Sequence, residues 1–328
     1  MWLEVLAVRR SSRFYSCALL AACAAASSAA ENAYVPNEGS GTVTVIDTAT
    51  DAPSPRSPIP KQGSMGKKLR GVALDRTGGT LFVVDALGNV VLVVDSASGT
   101  VKKTLPNILS AEGIQLSPDG KTVTVCAEKS NEAIFIDVAS LTESFRVKIQ
   151  GDNPEHCIYS PDGKWLLTSN EESRSIDVID VAARKSTATV KTAGAPRGMG
   201  FLPDGSAVYV ADETSGNVDV IASASWSITK SIPIGVRPAG IIVRADGERV
   251  YATAGGSGTV AVIDPRTNGV IATIAVGQRP WNMALTASGA KLYVANGRSN
   301  SVSVIDTSSN QVLRTLDVGL LPWGVAIR

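Results

Sequence analysis

Short runs of alternating or β-branched hydrophobic residues follow one another along most of the chain, and turn residues separate them. In the segment 238–277, four such runs cover residues 240–243, 250–253, 259–263 and 270–276. Aspartate, glycine and proline fill the gaps between the runs. Runs of this length and period predict β-strands joined by tight turns, so the segment contains four strands.

This four-strand segment is one copy of a repeat. A dipeptide that closes a β-branched run, usually Ile-Asp, begins at positions 46, 94, 136, 179, 221, 263 and 305, with spacings of 48, 42, 43, 42, 42 and 42 residues. A second anchor begins each module: Gly71, Gly113, His156, Gly198, Gly240, Asn282 and Gly324. Seven four-stranded modules predict an all-β fold, a seven-bladed β-propeller.

The two ends of the repeat complement each other. Residues 33–35 match the second strand of a module, as at Tyr251 and Tyr293, whereas the chain ends just after a segment, 322–327, that matches a first strand. We therefore expect segment 322–327 to complete the N-terminal blade as its innermost strand. Such a closure joins the ends of the ring and removes open sheet edges.

Several short motifs resemble the YVTN β-propeller repeat family. They are Tyr-Val-Ala-Asn at 293–296, Val-Ser-Val-Ile-Asp at 302–306, and Ser-Pro-Asp-Gly at 117–120 and 160–163. The resemblance covers residues 31–328. Segments 153–165 and 318–326 are similar, more narrowly, to a periplasmic subgroup that accompanies alcohol oxidation systems dependent on pyrroloquinoline quinone (PQQ).

That resemblance implies an accessory or binding role in the periplasm, and it supplies no catalytic residues. The chain departs from the family where His156 and Asn282 replace glycine and where Ala222 replaces aspartate. The leading interpretation is therefore a non-catalytic periplasmic binding or scaffolding propeller, accessory to a quinoprotein oxidation system. Two alternatives stay open: a metal-dependent, lactonase-like hydrolase on a propeller ring, and a surface-anchored interaction or adhesion module.

The first thirty residues differ from the repeat. Arg9, Arg10 and Arg13 precede an apolar stretch over 14–26, and small residues follow at 27–30. This pattern predicts a signal peptide over residues 1–30 and a propeller over residues 31–328, in the periplasm or secreted. Residues 20–23, Leu-Ala-Ala-Cys, also fit a lipoprotein processing site, which would leave a lipid anchor at Cys23 on an envelope protein.

Charge and cysteine content narrow the function further. The chain has 31 basic and 30 acidic residues, so removing residues 1–30, with three Arg and one Glu, leaves 28 against 29. A net charge near zero gives no global attraction for nucleic acid. Only Cys126 and Cys157 remain outside the leader, too few for a disulfide framework, and whether they pair is left open. Motifs for covalent haem, phosphate binding or a serine nucleophile are lacking.

Connections that enter the innermost strands meet the loops between second and third strands at one end of the central tunnel. Loops on rigid scaffolds carry binding sites, so we expect the ligand-binding residues at this end of the tunnel. Arginine, lysine and tryptophan side chains on consecutive modules predict a site for a small anionic ligand, PQQ or another aromatic carboxylate, or for a protein partner. The predicted ligand-binding residues are Lys68, Arg70, Arg237, Arg279, Trp281 and Trp323. In the alternative interpretation, Trp281 and Trp323 plug the tunnel and the basic side chains pair with Glu112 and Glu155 across it.

A second group could hold a metal or serve as an acid–base pair. His156, the chain's single histidine, stands at a glycine position next to Glu155, and Glu112 occupies the corresponding place in the preceding module. Imidazole and carboxylate are metal ligands, and histidine titrates near neutral pH. One histidine with two carboxylates is equally what a solvated tunnel lining contains, and both interpretations stay open.

Overall fold

Seven four-stranded antiparallel sheets form the computed structural model of the protein, which describes Met1 and residues 31–328. The predicted signal peptide and the lipid-anchor position Cys23 lie outside the described residues. In the part that is described, no helix has the length and apolar character needed to cross a membrane. Seven sheets of four strands confirm the propeller that the repeat predicted.

The first four blades, each given from the inside of the ring outwards, have the following strands. Blade 1 has β28 (Ala326–Ile327), β1 (Asn32–Asn37), β2 (Thr42–Asp47) and β3 (Ala52–Pro53). Blade 2 has β4 (Leu69–Leu74), β5 (Thr80–Asp85), β6 (Val90–Asp95) and β7 (Val101–Leu105). Blade 3 has β8 (Ala111–Leu116), β9 (Thr122–Ala127), β10 (Glu132–Asp137) and β11 (Thr142–Lys148). Blade 4 has β12 (Pro154–Tyr159), β13 (Trp165–Asn170), β14 (Ser175–Asp180) and β15 (Lys185–Lys191).

The remaining three blades repeat this order, and two short 3-10 turns complete the elements. Blade 5 has β16 (Pro196–Phe201), β17 (Ala207–Asp212), β18 (Asn217–Ala222) and β19 (Ser227–Pro233). Blade 6 has β20 (Pro238–Val243), β21 (Val250–Ala254), β22 (Thr259–Asp264) and β23 (Gly269–Ala275). Blade 7 has β24 (Pro280–Leu285), β25 (Lys291–Asn296), β26 (Ser301–Asp306) and β27 (Gln311–Asp317). The 3-10 turns cover Glu128–Ser130 and Gly297–Ser299.

The ring closes as predicted, because the last strand of the chain belongs to the first blade. β28 pairs antiparallel with β1, with Ile327 opposite Ala33, and an isolated bridge joins Pro322 to Asn37. Between these two points the N–H of Trp323 donates to the carbonyl of Pro36 at 3.0 Å. Proline 322 has no N–H to add, and the regular ladder here is shorter than in the other inner strands.

The core lies between neighbouring sheets. One cluster, for instance, joins Tyr251, Val260 and Val262 of blade 6 to Leu292 and Val294 of blade 7, all fully buried. The second and third strands of each blade pack against both neighbours, and their residues read as continuous hydrophobic runs for that reason. The two cysteines, Cys126 and Cys157, lie in one such cluster as free, buried thiols.

Side-chain hydrogen bonds fix the tight turns between the third and fourth strands of the blades. The aspartate after isoleucine accepts backbone N–H bonds from two and three residues further on, as Asp306 does from Ser308 at 3.0 Å and Ser309 at 2.8 Å. Aspartate suits this position because its short carboxylate mimics the turn's own carbonyl acceptor. The recurring Ile-Asp dipeptide is therefore a structural signature of the blade and not a set of catalytic acids.

Truncation after Val318 should test the ring closure. The deletion removes β28, the buried Trp323 and the contacts of Val325 and Ile327 with the blade 1 and blade 7 core. We expect it to lower the free energy of unfolding by about 5 kcal/mol, a large part of a typical domain's stability. Denaturant titration measures the change. Arg328→Ala, which leaves the backbone pairing intact, is the control, and a truncated protein as stable as that control would contradict the closure.

Candidate functional site

One backbone hydrogen bond recurs at one mouth of the tunnel and fixes the loops there. The residue after a second strand donates its N–H to the carbonyl three residues before the anchor of the inner strand. Examples are Glu213 to Ala195 at 2.8 Å, Gly255 to Arg237 at 2.8 Å and Gly297 to Arg279 at 2.9 Å. Each blade therefore presents the residue after its second strand and the residue before its anchor to the same mouth.

Arg70 is the centre of a first ionic group. Its guanidinium contacts the Glu112 carboxylate, lies 3.1 Å from Glu38 (Nε to Oε2) and lies 3.6 Å from Glu128 (Nη1 to Oε1). Lys68 reaches the edge of the group, with its Nζ 3.9 Å from Glu38. Blades 1, 2 and 3 thus meet around one arginine, and the positive charge predicted for Lys68 and Arg70 is balanced by carboxylates.

Arg197 is the centre of a second ionic group. Its guanidinium contacts the Glu155 carboxylate and reaches Glu171 at 3.0 Å (Nη2 to Oε1) and Glu213 at 2.5 Å (Nε to Oε2). The side chains of Glu155 and Glu213 are only 4% exposed, whereas that of Glu171 is 28% exposed. One guanidinium therefore links two buried carboxylates to a third that solvent can reach.

Glu213 forms ion pairs with three arginines. Its Oε1 lies 2.6 Å from Arg237 Nη2 and 2.9 Å from Arg279 Nη2, while its Oε2 faces Arg197. Burial by itself would raise the pKa of Glu213, but the guanidiniums, with Arg197 first, outweigh burial and lower the pKa to about 2. Glu213 therefore stays ionised well below the pH at which a glutamate ordinarily titrates.

The pKa of Glu155 shifts in the opposite direction to that of Glu213. Burial raises the pKa of Glu155 well above its ordinary value, the attraction of Arg197 acts against that rise, and the neighbouring carboxylate of Glu171 adds to it. Glu155 is buried and Glu171 is partly exposed, and both contact the Arg197 guanidinium. The Glu155–Glu171 pair consequently has the composition of an acid–base group.

His156 and Trp323 stack across the tunnel. Their ring centroids are 5.4 Å apart with planes 13° from parallel, although His156 belongs to blade 4 and Trp323 precedes the inner strand of blade 1. A cavity of about 230 Å³ adjoins this stack and is lined by inner-strand residues that include Val72, Ile114 and Ile241. The stack forms a plug between the ionic groups and the tunnel.

The imidazole of His156 is neutral at pH 7. Burial, followed by repulsion from Arg197 and Arg70, lowers its pKa to about 3. Neither ring nitrogen has a hydrogen-bond partner within residues 31–328. A buried polar group without a partner destabilises a fold, so the histidine is there for a reason other than stability.

Trp281 packs beneath Arg279, whose guanidinium carbon lies 4.0 Å from the centre of the indole. This arrangement depends on glycine at position 297, because a Cβ there would lie 2.5 Å from the indole Cδ1 and Nε1. Gly255 is required in the same way, since its Cβ would lie 2.9 Å from Arg279 Nη1. The two glycines after β21 and β25 leave the space that the arginine and tryptophan side chains occupy.

The six residues predicted to bind an anion are divided between different parts of the tunnel mouth. The second ionic group brings together Arg237, Arg279 and Trp281 around Glu213. The first ionic group contains Lys68 and Arg70. The six predicted residues therefore do not form one positive patch. Glu213 and Glu38 were missed. Both stand directly after a second strand, the position that Glu171 and Glu128 also occupy. Aligning the modules on that position would have found them.

The carboxylates that could serve as metal ligands also differ from the predicted set. Ligand atoms of Glu112, Glu128 and Glu155 lie within 4.8 Å of one another, and His156 is not among them. His156 Nδ1 is 4.0 Å from the Glu155 carboxylate, because its ring turns towards Trp323 instead. Oxygen-only ligands suit hard cations such as Ca²⁺ or Mg²⁺. In this structure the guanidinium of Arg70 contacts two of these carboxylates.

A cavity of about 680 Å³ opens beside the second ionic group. Glu171, Glu213 and Arg237 line it together with loop residues that include Thr214 and Val236. This volume suits a small molecule. The fold and the site together define a seven-bladed propeller with an ionised, partly plugged tunnel mouth and an adjoining cavity.

A family model described as lactonase, seven-bladed β-propeller, matches residues 24–189 and 182–317. The matches cover most of the chain, and the protein belongs to this family. This membership favours the lactonase-like alternative over the non-catalytic interpretation. The YVTN resemblance and the assignment to a PQQ-associated subgroup stay predictions.

Solved structures share the fold at low identity. A functionally unknown protein from Desulfotomaculum acetoxidans superposes with a TM-score of 0.77 at 15% identity, over 90% of this chain and 98% of that one. A putative 6-phosphogluconolactonase from Bacteroides fragilis gives 0.75 at 16% identity, over 91% and 98%. Hydrazine synthase from Kuenenia stuttgartiensis gives 0.70 at 20% identity, over 78% and 88%. No curated protein matches the chain.

Replacing His156 by phenylalanine should not harm the fold. Phenylalanine keeps the stack on Trp323 and removes two unpaired buried nitrogens, so we expect the stability at pH 7 to change by less than about 1 kcal/mol. The imidazole pKa falls from 6.5 to about 3 on folding, so histidine destabilises the fold progressively as pH falls from 6.5 towards 3. At pH 5 the variant should therefore be more stable than wild type by about 2 kcal/mol.

Denaturant titrations at both pH values measure this effect, with His156→Ala as the control that loses the stack. A phenylalanine variant that is as unstable at pH 7 as the alanine variant would show that the imidazole nitrogens stabilise the fold.

Glu213→Gln should be strongly destabilising. It leaves three arginines facing a neutral amide in a buried place, and removing one partner of such a group costs about 3 kcal/mol. Because folding lowers the pKa of Glu213 from 4.5 to about 2, the wild-type advantage is complete above pH 4.5 and is lost as pH falls from 4.5 to about 2. Thermal unfolding as a function of pH measures this.

Glu248→Gln is a matched control for that measurement, because Glu248 pairs with Arg244 through a side chain that is 66% exposed. An exposed pair of this kind contributes between about 0 and 1 kcal/mol. Equal destabilisation by the two variants would contradict the central place of Glu213 in the second ionic group.

Proposed function

We propose that the protein hydrolyses a small lactone in the cavity beside the second ionic group. The observation that carries the proposal is the Glu155–Glu171 pair on Arg197, because one carboxylate is buried with a raised pKa and the other faces the cavity. Membership of the lactonase family supports the reaction class. The low-identity likeness to a putative 6-phosphogluconolactonase supports only the fold.

The reaction needs a base, a group that stabilises negative charge, and an acid. In this proposal Glu171 removes a proton from a water molecule, and the oxygen of that water forms a bond to the lactone carbonyl carbon. Arg237, which lines the same cavity, faces the negative charge that develops on the carbonyl oxygen. The ring C–O bond then breaks, and the ring oxygen takes the proton from Glu171, which gives a hydroxy acid.

Glu155 and Arg197 act as positioning residues. Arg197 holds Glu171 by Nη2 and Glu155 by Nη1, so both carboxylates keep their orientation when the proton moves. Glu213 pairs with Arg197 through Oε2 and with Arg237 through Oε1, and so fixes the position of both guanidiniums. The second oxygen of Glu171 accepts from the Asn153 side-chain amide at 3.2 Å, so a water molecule can approach Glu171 without breaking its ion pair with Arg197.

The lactone hydrolysis assay also tests whether the reaction depends on a metal ion. Glu112, Glu128 and Glu155 offer oxygen ligands within 4.8 Å of one another, next to the proposed acid–base pair. Arg70 and Arg197 already balance these carboxylates, and the proposed steps for that reason need no cation. Activity with and without a chelator separates the two forms.

Glu171→Gln should abolish most of the activity. Removing a general base lowers kcat by about 100-fold or more. The Glu171 side chain is partly exposed, and glutamine keeps an oxygen that can accept from Arg197, so we expect only a small change in stability. The assay follows hydrolysis of a panel of γ- and δ-lactones by titrating the acid released. Glu172→Gln, at the neighbouring exposed position, is the matched control and should keep wild-type activity. Wild-type protein that hydrolyses none of the lactones, or equal activity of the two variants, would overturn the proposal.

A second candidate is the non-catalytic propeller accessory to PQQ-dependent oxidation, in the periplasm or on the envelope surface. The observation that favours it is the stacked Arg279–Trp281 pair, since a guanidinium beside an indole suits a planar aromatic carboxylate such as PQQ. Binding of aromatic carboxylates that is lost in Trp281→Ala, in a protein without lactone turnover, would favour this candidate over hydrolysis.

A further inference from the structure

A separate cavity of about 500 Å³ lies between blades 6 and 7 at the same face of the ring. The glycine-rich loop 255–258 forms one wall, and the connection 275–279 forms the other. Three arginines line it: Arg237, Arg279 and Arg298. None of its lining residues is an aspartate or a glutamate.

The arginines carry more charge than their partners neutralise. Arg237 and Arg279 share a single carboxylate, Glu213, which lies outside the cavity. Arg298 has no carboxylate oxygen within 4.0 Å in the part of the chain that the structure describes. Three guanidiniums against one carboxylate leave two positive charges at this cavity, in a protein whose overall charge is close to zero.

One of these guanidiniums also has an unused donor. The side chain of Arg279 is only 6% exposed, its Nη2 binds Glu213 at 2.9 Å, and its Nη1 is buried without an acceptor. Nη1 lies close to Gly255, in the wall of the cavity. A buried N–H without an acceptor destabilises the fold, and an anion in the cavity would remove that cost.

A hydroxyl completes the set of donors. Ser257 lines the cavity; its oxygen accepts the backbone N–H of Val236 at 2.9 Å, and its hydroxyl donates to no residue in the described part of the chain. Guanidiniums bind planar or tetrahedral oxyanions through parallel hydrogen bonds, and a serine hydroxyl adds one more. The cavity thus combines positive charge, a buried free donor and a hydroxyl in one place.

We propose that the cavity between blades 6 and 7 binds a compact divalent oxyanion, either a phosphoryl group or a dicarboxylate. Two uncompensated positive charges favour a dianion over a monoanion. The site shares Arg237 with the cavity that Glu171 lines, but Glu171 does not line it, and binding there requires no catalysis by the protein. Failure of lactone hydrolysis would therefore leave this proposal untouched.

The test is isothermal titration calorimetry of the full chain with inorganic phosphate and, separately, with malonate, at an ionic strength held constant with sodium chloride. Arg298→Ala removes an exposed arginine that takes no part in the Glu213 group, so the fold should be unaffected. Loss of one charge-assisted partner should weaken binding about tenfold or more. Lys230→Ala, an exposed cation on the outer strand of blade 5, is the matched control and should bind as wild type does.

Tighter binding of phosphate than of malonate would assign the site to phosphoryl groups, and the reverse order would assign it to dicarboxylates. A second variant, Arg279→Gln, should lose binding of both anions, and its thermal midpoint reports whether it folds. No binding of either anion by wild type at millimolar concentration, or equal binding by wild type and Arg298→Ala, would overturn the proposal.

Discussion

Face-to-face packing of the sheets in a closed ring is the constraint on which the rest of this structure depends. Each blade buries both faces of its second and third strands against its neighbours, so no blade is complete alone. Blade 1 has no neighbour in sequence on one side, and the ring closes there through the pairing of β28 with β1 and the packing of blade 1 against blade 7. Once the ring is closed, loops that are far apart in sequence are held at fixed distances around one tunnel mouth.

The tunnel mouth then has to accommodate charge where little water reaches it. It does so by placing each buried carboxylate against an arginine from another blade, as Glu155 is placed against Arg197 and Glu112 against Arg70. Ion pairs of this kind contribute little net stability, because desolvation offsets their attraction. Partly buried pairs also occur in the blades, as between Lys291 and Asp51 at 2.6 Å, but the mouth brings several arginines and glutamates into two connected groups.

Several local features at the same mouth do not stabilise the fold. His156 has two buried nitrogens without partners, Arg279 has one, and the backbones of Arg237 and Arg279 adopt positive φ angles of 57° and 52°. Real proteins depart from the rules of stable folding mainly at functional sites. These departures, the cavity beside Glu171 and the lactonase family match together point to small-molecule chemistry at this face.

The sequence by itself determined the architecture, because a repeat of four strands and its turn signals, such as the recurring Ile-Asp, depend on local periodicity. It also indicated the ring closure and most of the side chains at the mouth, since the module position of Arg279 or Glu155 can be counted along the chain. Only the tertiary structure decided the pairing of those side chains. Glu213 meets Arg197, Arg237 and Arg279, and His156 meets Trp323 from three blades away, because partners across a ring are set by distances between blades and not by spacing in sequence.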